Sequence, residues 1–412
     1  MGDLTKRPMN PYLKQLHPYP FEKLNGLLKD VPLPDKSFIA LSLGEPKHPA
    51  PDFIVEAYAD IPAIMSSFGT YPPTKGIPEL RTAIAKFVTR RFNLKRQPDP
   101  ETEILPVSGT REALFAMAQT IIDGTSLNSL TFMPNPFYQI YEGAALLAGS
   151  TPRYIPCKEA SDFKPDFSGV TEEEWQKCQL VYICTPGNPS GATMSLDALT
   201  SLIHKSDEYH FVIASDECYS EIYDDESNPP SGLLEAASKM GRHDYRNCMA
   251  FNSLSKRSNL PGLRSGYVCG DARIIEQFLL YRTYHGAAMP VHNQWASVSA
   301  WNDEQHVVEN RIKYREKFSV VLELLKETWQ MEKPPASFYL WPQTPYNDEQ
   351  FTQRLLHETN IKVLPGSYLS RTVDGINPGA KRVRMALVAT VDECVEAATR
   401  IKTAWATLRK PE

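Results

Sequence analysis

No run of apolar residues in this chain approaches the length that crosses a bilayer. No block of Lys or Arg stands out and the formal net charge is -5, so neither a membrane nor a nucleic-acid partner is expected. The seven cysteines, Cys157, Cys178, Cys184, Cys218, Cys248, Cys269 and Cys394, form no CxxC pair and are odd in number. That usage argues against a disulfide framework or a thiolate zinc site and fits reduced thiols in a cytoplasmic protein. The opening "MGDLTKRPMN" lacks the apolar core of a secretory signal, and Lys6 stands where a myristoylation pattern needs Ser or Thr. There is no internal repeat and no low-complexity tract. What remains is ordinary globular composition, 42% apolar and 23% charged over 412 residues, a length that favours two domains. Small metabolites are the default partners.

Proline is what the chain has early: twelve fall within residues 1–73. Fixed φ and missing N–H donors predict an irregular arm with short helices, either a surface coil or a segment packed on another subunit or domain. From about residue 76 helical and strand patterns alternate. "IPELRTAIAKFVTRRF" and "REALFAMAQTII" have helical spacing. "EILPV", "SLTFM", "QLVYIC", "HFVIAS", "NCMAF" and "SGYVC" are short, apolar and rich in β-branched or aromatic residues. Apolar strands separated by helices predict an α/β fold with a largely parallel sheet buried on both faces. After about residue 295 a long helical stretch leads to "ASFYLW", "IKVLPGSYL" and "RVRMALVA", a smaller α+β unit. The expected boundaries are an arm with part of the small domain at 1–45, a large domain at 46–294 and a small domain at 295–412.

The chemistry collects just after the predicted strands, where open α/β sheets bind ligands. Ser108, Gly109, Thr110 and Arg111 follow "EILPV" and open a helix, which suits an anion or merely a helix cap. Tyr138 follows "SLTFM", and its ring could stack on a planar ligand or pack in the core. Asn188 lies in "TPGNPSG" after "QLVYIC". Asp216 ends "HFVIAS", with Tyr219 three residues on; a carboxylate there needs a cationic or hydrogen-bonding partner. Ser253, Ser255 and Lys256 follow "NCMAF", and Arg264 offers a planar fork for phosphate oxygens or a surface ion pair. Singly these readings are bland. Together they describe a site for a phosphorylated, cationic heterocycle whose aldehyde condenses with a lysine, namely pyridoxal 5'-phosphate, and no metal is called for.

The ordered set resembles the fold-type I pyridoxal-phosphate aminotransferases, class I/II, over nearly the whole chain. The resemblance is carried by "YPPTKGIPELR" (Tyr71 to Arg81), "SGTREAL", "NPSG", "DECY", "SLSKRSNLPGLRSGY" and "RVRMAL". It implies a mostly parallel seven-stranded sheet between helices. It further implies Lys256 as the Schiff-base lysine, Asp216 at the pyridine nitrogen, Asn188 and Tyr219 at the ring oxygen and Tyr138 stacked on the ring. Gly109, Thr110, Arg111, Ser253, Ser255 and Arg264 would hold the cofactor and its phosphate. Gly44, Asn188 and Arg384 would meet the substrate, Arg384 gripping its α-carboxylate. Tyr71 would reach the neighbouring subunit's phosphate, so a homodimer with shared sites is expected.

Two departures from the common pattern, Arg257-Ser258 after the lysine and the long segment "GSYLSRTVDGINPGAKRVR", make the chain similar to N-succinyldiaminopimelate aminotransferases of bacterial lysine synthesis. "NPYLKQLHPYPFEKL" and "GAAMPVHNQWAS" add to that likeness. That resemblance implies amino exchange between glutamate/2-oxoglutarate and N-succinyl-LL-2,6-diaminopimelate/N-succinyl-2-amino-6-oxopimelate by ping-pong chemistry. The alternatives are an aspartate or aromatic aminotransferase or a β-eliminating lyase; a cofactor-binding regulator would need a DNA-reading module, and no such pattern precedes the core. A second cation must hold a distal carboxylate, and Arg282, Lys23 and Arg371 are candidates. Arg257 has no assigned task.

Overall fold

The computed structural model describes residues 10–411. The signal and lipidation readings fall on the first nine residues, outside those described. Among the described residues the largest sheet has seven strands: β1 (Ile104–Val107), β2 (Leu130–Asn135), β3 (Thr151–Pro156), β4 (Cys178–Cys184), β5 (Val212–Asp216), β6 (Cys248–Ser253) and β7 (Gly266–Gly270). Their spatial order is β1-β7-β6-β5-β4-β2-β3. β7 runs antiparallel to both its neighbours, and the other pairs are parallel.

The alternation along β4 shows why this is a buried layer. Val181 and Ile183 face one apolar core, shared with Phe132 and Ile213. Leu180 and Tyr182 face the other, with Met133, Ala214 and Phe251. Burial of each large aliphatic side chain contributes about 1.5–3 kcal/mol, so a strand apolar on both faces fits only between two helical layers. β3 was not among the expected strands. Its sequence "TPRYIP" carries two prolines, which an edge strand tolerates because one side of its ladder is open.

The early arm is irregular, as the prolines require, with helices at Pro20–Leu28, Asp52–Ala57 and Ile61–Ser67. Its strand Ile39–Ala40 pairs in parallel with Ile361–Lys362. Ile39 and Leu41 thereby enter a separate C-terminal core with Leu340, Phe351, Val383 and Met385. The helix Gln305–Leu325 leads into that unit. All seven cysteines are free and buried. No described helix is long and apolar enough to cross a membrane.

Candidate active site

Parallel strands bring their carboxyl ends to one edge. In register, Cys184 at the end of β4 stands beside Asp216 at the end of β5, and Asp216 beside Phe251 of β6. Loops leaving this edge wall a cavity of about 620 Å³. Of the residues expected from sequence, Gly44, Thr110, Arg111, Tyr138, Asn188, Asp216, Tyr219, Ser253, Ser255, Lys256, Arg264 and Arg384 line it. Positions spread over 341 residues of chain thus meet at one site.

Gly109 sits behind this wall with φ +87°, a backbone region that favours glycine, and opens the helix Thr110–Ile121. A Cβ there would collide with the Arg264 guanidinium, so the glycine lets the helix N-terminus and Arg264 share one corner. Across from it, Ser253 Oγ accepts from the Ser255 amide at 3.1 Å and starts the one-turn helix Leu254–Arg257. Hydroxyls, helix-start amides and a planar fork together make a site suited to a phosphate group.

Lys256 lies in that short helix, donates to Gly44 O, and has its ammonium 5.5 Å from the Phe338 ring centre. Desolvation by the cavity walls lowers its pKa to about 8; Arg384 and Arg264 push the same way while Cys218 and Glu45 oppose. Asp216 is buried, which raises its carboxyl above the usual range, while hydrogen bonds from Tyr141 (2.7 Å) and the Cys218 amide (3.3 Å) pull it back down. Tyr219 Oη lies 2.9 Å from Tyr339 Oη, and burial raises the Tyr219 phenol well above its ordinary value.

Arg384 is buried, donates to Asn188 Oδ1 at 3.0 Å and Ser42 O at 2.7 Å, and stacks 4.5 Å from the Tyr339 ring. Its Nε is buried with no partner. No described salt bridge involves Arg384, Arg264, Lys256 or Arg111. Four cations therefore face a cavity whose carboxylates are Asp216 and Glu45. A buried guanidinium with a spare donor calls for an anion. The residues present thus fit pyridoxal phosphate together with a carboxylate-bearing substrate.

Tyr71, expected to reach a neighbouring subunit's phosphate, lies outside this chain's own cavity and is 97% exposed. The distal-cation candidates find other partners. Arg282 is buried, and its Nη1 donates to both carboxylate oxygens of Glu112, at 2.5 and 2.6 Å. Arg371 forks onto Glu142 at 2.7 and 2.5 Å. Lys23 lies 5.6 Å over the Tyr368 ring. None of these three lines the cavity. Arg257 now has a task. It is fully buried between Phe87 and Trp301, and donates to Ala300 O at 2.7 Å and Asp303 O at 3.0 Å. It thus satisfies carbonyls at and just past the end of helix Val291–Asn302 and ties the lysine turn to that helix. Sequence reasoning missed Tyr19, Cys218, Tyr339 and Leu369 among the lining residues. Of these, Tyr339 had a readable signal, since it follows Phe338 in an apolar run that the "ASFYLW" strand already marked.

A family model described as aminotransferase class I and II matches residues 36–401. A solved aminotransferase structure from Neisseria meningitidis is 46% identical, with a TM-score of 0.91 over 96% of this chain and 100% of that one. The aminotransferase AspB from Helicobacter pylori is 35% identical, with a TM-score of 0.86 over 95% and 99%. The LL-diaminopimelate aminotransferase of Aquifex aeolicus is 30% identical over 394 residues, 95% of this chain and 97% of that protein.

Proposed function

The chain belongs to the aminotransferase class I and II family, whose members depend on pyridoxal phosphate, and on that premise we propose that it aminates N-succinyl-2-amino-6-oxopimelate from glutamate. The bound cofactor supplies an electron sink for the substrate Cα carbanion. The protein supplies the rest. Lys256 Nζ would hold the cofactor and, when free, move the proton at the substrate Cα; its lowered pKa keeps a useful fraction neutral near pH 8. Asp216 would pair with the ring nitrogen, Asn188 and Tyr219 would hold the ring oxygen, and Tyr138 would stack on the ring. The Gly109–Thr110 helix start, Ser253, Ser255 and Arg264 would hold the phosphate. Arg384, with the backbone of Gly44 beside it, binds the substrate α-carboxylate.

The observation that carries the substrate reading is the fourth cation. Arg111, first read as a cofactor residue, donates from Nε to Tyr138 Oη at 2.8 Å and lies 5.8 Å from the Tyr19 ring centre. It is exposed on the cavity wall with no carboxylate partner, so we assign it to the distal carboxylate of the substrate. Arg111→Ala should raise KM for the succinylated substrate about 10- to 100-fold, the worth of one charge-assisted hydrogen bond. Alanine as donor, which has no distal carboxylate, should change little. Equal losses on both would return Arg111 to the cofactor.

The Aquifex aeolicus relative is named for LL-diaminopimelate without the succinyl group, which favours a second reading with the unacylated acid. Comparing kcat/KM for N-succinyl-LL-diaminopimelate, LL-diaminopimelate, aspartate and tyrosine decides among the readings. A preference for any of the last three overturns the succinyl assignment, and pyruvate release from a β-substituted amino acid without amino transfer would establish a lyase.

A homodimer belongs to the same proposal. Val55, Ile61, Met65 and Phe68 are exposed on the arm close to Tyr71, an apolar face that a second copy would cover. Tyr71 would then reach the partner's phosphate, and Tyr71→Phe should weaken cofactor binding about tenfold by equilibrium dialysis. Unchanged binding removes Tyr71 from the site. The division at residues 45 and 294 is likewise proposed, supported by the separate apolar core around Leu340 and Val383.

A further inference from the structure

Behind Asp216 lies a side chain that no step above uses. Tyr141, on the helix Ile140–Leu147, is completely buried and donates its phenol proton to Asp216 Oδ2 at 2.7 Å. Its ring stacks on Tyr182 with centroids 4.7 Å apart and planes 11° apart, so its position is fixed by packing. Oδ1 of the same carboxylate accepts from the Cys218 amide at a longer 3.3 Å, and the Cys218 side chain also hydrogen-bonds the carboxyl group. We propose that Tyr141 is the positioning residue for Asp216, orienting the carboxylate by its Oδ2 and holding it ionised so that Oδ1 serves the cofactor's ring nitrogen. This rests on the role given to Asp216 above.

The physical case is a competition. Burial favours the neutral acid, and a neutral acid cannot pair with a protonated ring nitrogen. The ionisable groups around Asp216 are Tyr138, Tyr141, Cys184, Cys218 and Lys256. Lys256 is the cation among them, and its pull on the carboxyl is smaller than that of the hydrogen bonds from Tyr141 and Cys218. The phenol of Tyr141 is the strongest remaining support for the ionised form, since burial raises its own pKa and keeps it a donor.

The test begins on the wild-type apo-protein, with isotope-edited infrared spectroscopy reading the Asp216 carboxyl against pH. The wild type should show an ionised carboxylate at pH 7; a protonated one overturns the proposal. In Tyr141→Phe the midpoint should move up by at least one pH unit, and the apparent Kd for pyridoxal phosphate should rise about tenfold. Tyr182→Phe is the control, because its buried hydroxyl serves Leu114 O instead and its loss should move neither quantity. An unshifted midpoint in Tyr141→Phe, or an equal shift in Tyr182→Phe, overturns the assignment. Asp216→Asn separates the two layers: wild-type cofactor affinity and turnover there would show that Asp216 is not the ring's partner, whatever the infrared result.

Discussion

Lys256→Ala should lower transamination by about 10⁴-fold or more, because one substitution removes both the covalent anchor and the base that moves the Cα proton. The fold should survive. The side chain is only partly buried and its polar contact is a single carbonyl, Gly44 O, so a circular dichroism melt should stay near wild type. Wild-type protein mixed with pyridoxal phosphate should develop a visible absorbance band, and borohydride should fix the label on the peptide holding Lys256. The pH dependence has a definite sign. Attachment needs the neutral amine, and the lowered pKa of about 8 makes that form abundant at lower pH than for a solvated lysine. The rate of cofactor attachment to apo-protein should therefore rise with pH and level off above about 8. A plateau delayed to about 10.5, or label on another lysine, would remove Lys256 from this role.

The parts of the site that could be read in the sequence are those set by local pattern. Asp216 and Ser253 each end an apolar run, and a run buried on both faces has one edge at which polar groups can gather. Gly109 could be read as a turn because a helix pattern starts directly behind it. The failures have a common physical cause: a long cation's fate depends on its partner, and the partners lie far away in the chain. Arg282 meets Glu112 at a separation of 170 residues and Arg371 meets Glu142 at 229. Nothing local distinguishes them from Arg111, whose neighbours are a phenol and an aromatic ring and whose charge is left for a ligand. The same holds for Arg257, which had no assigned task in the sequence. The short helix turns its guanidinium toward Ala300 and Asp303. Tyr141 was not singled out in the sequence; that its hydroxyl meets Asp216, 75 residues on, needed the fold.

Arg384→Ala should cost about 2–5 kcal/mol in kcat/KM, roughly 30- to 4000-fold, and should do so for every amino donor and keto acceptor alike. The uniformity follows from geometry. The guanidinium is held at both ends, by Asn188 Oδ1 and Ser42 O, with the Tyr339 ring against its face, so its position in the cavity wall is fixed whatever the substrate's distal group. Removing it also leaves Asn188 Oδ1 and Ser42 O without their donor, which adds a structural cost that alanine alone cannot separate. Arg384→Lys separates the two. A lysine keeps the charge but cannot reach both acceptors and an α-carboxylate with a planar fork, so it should recover stability more fully than activity. The profile over substrates also distinguishes this residue from Arg111. Loss at Arg111 should grow with the presence of a distal carboxylate, while loss at Arg384 should not depend on it. If Arg384→Ala impaired the succinylated substrate and spared alanine, the two arginines would have to exchange roles.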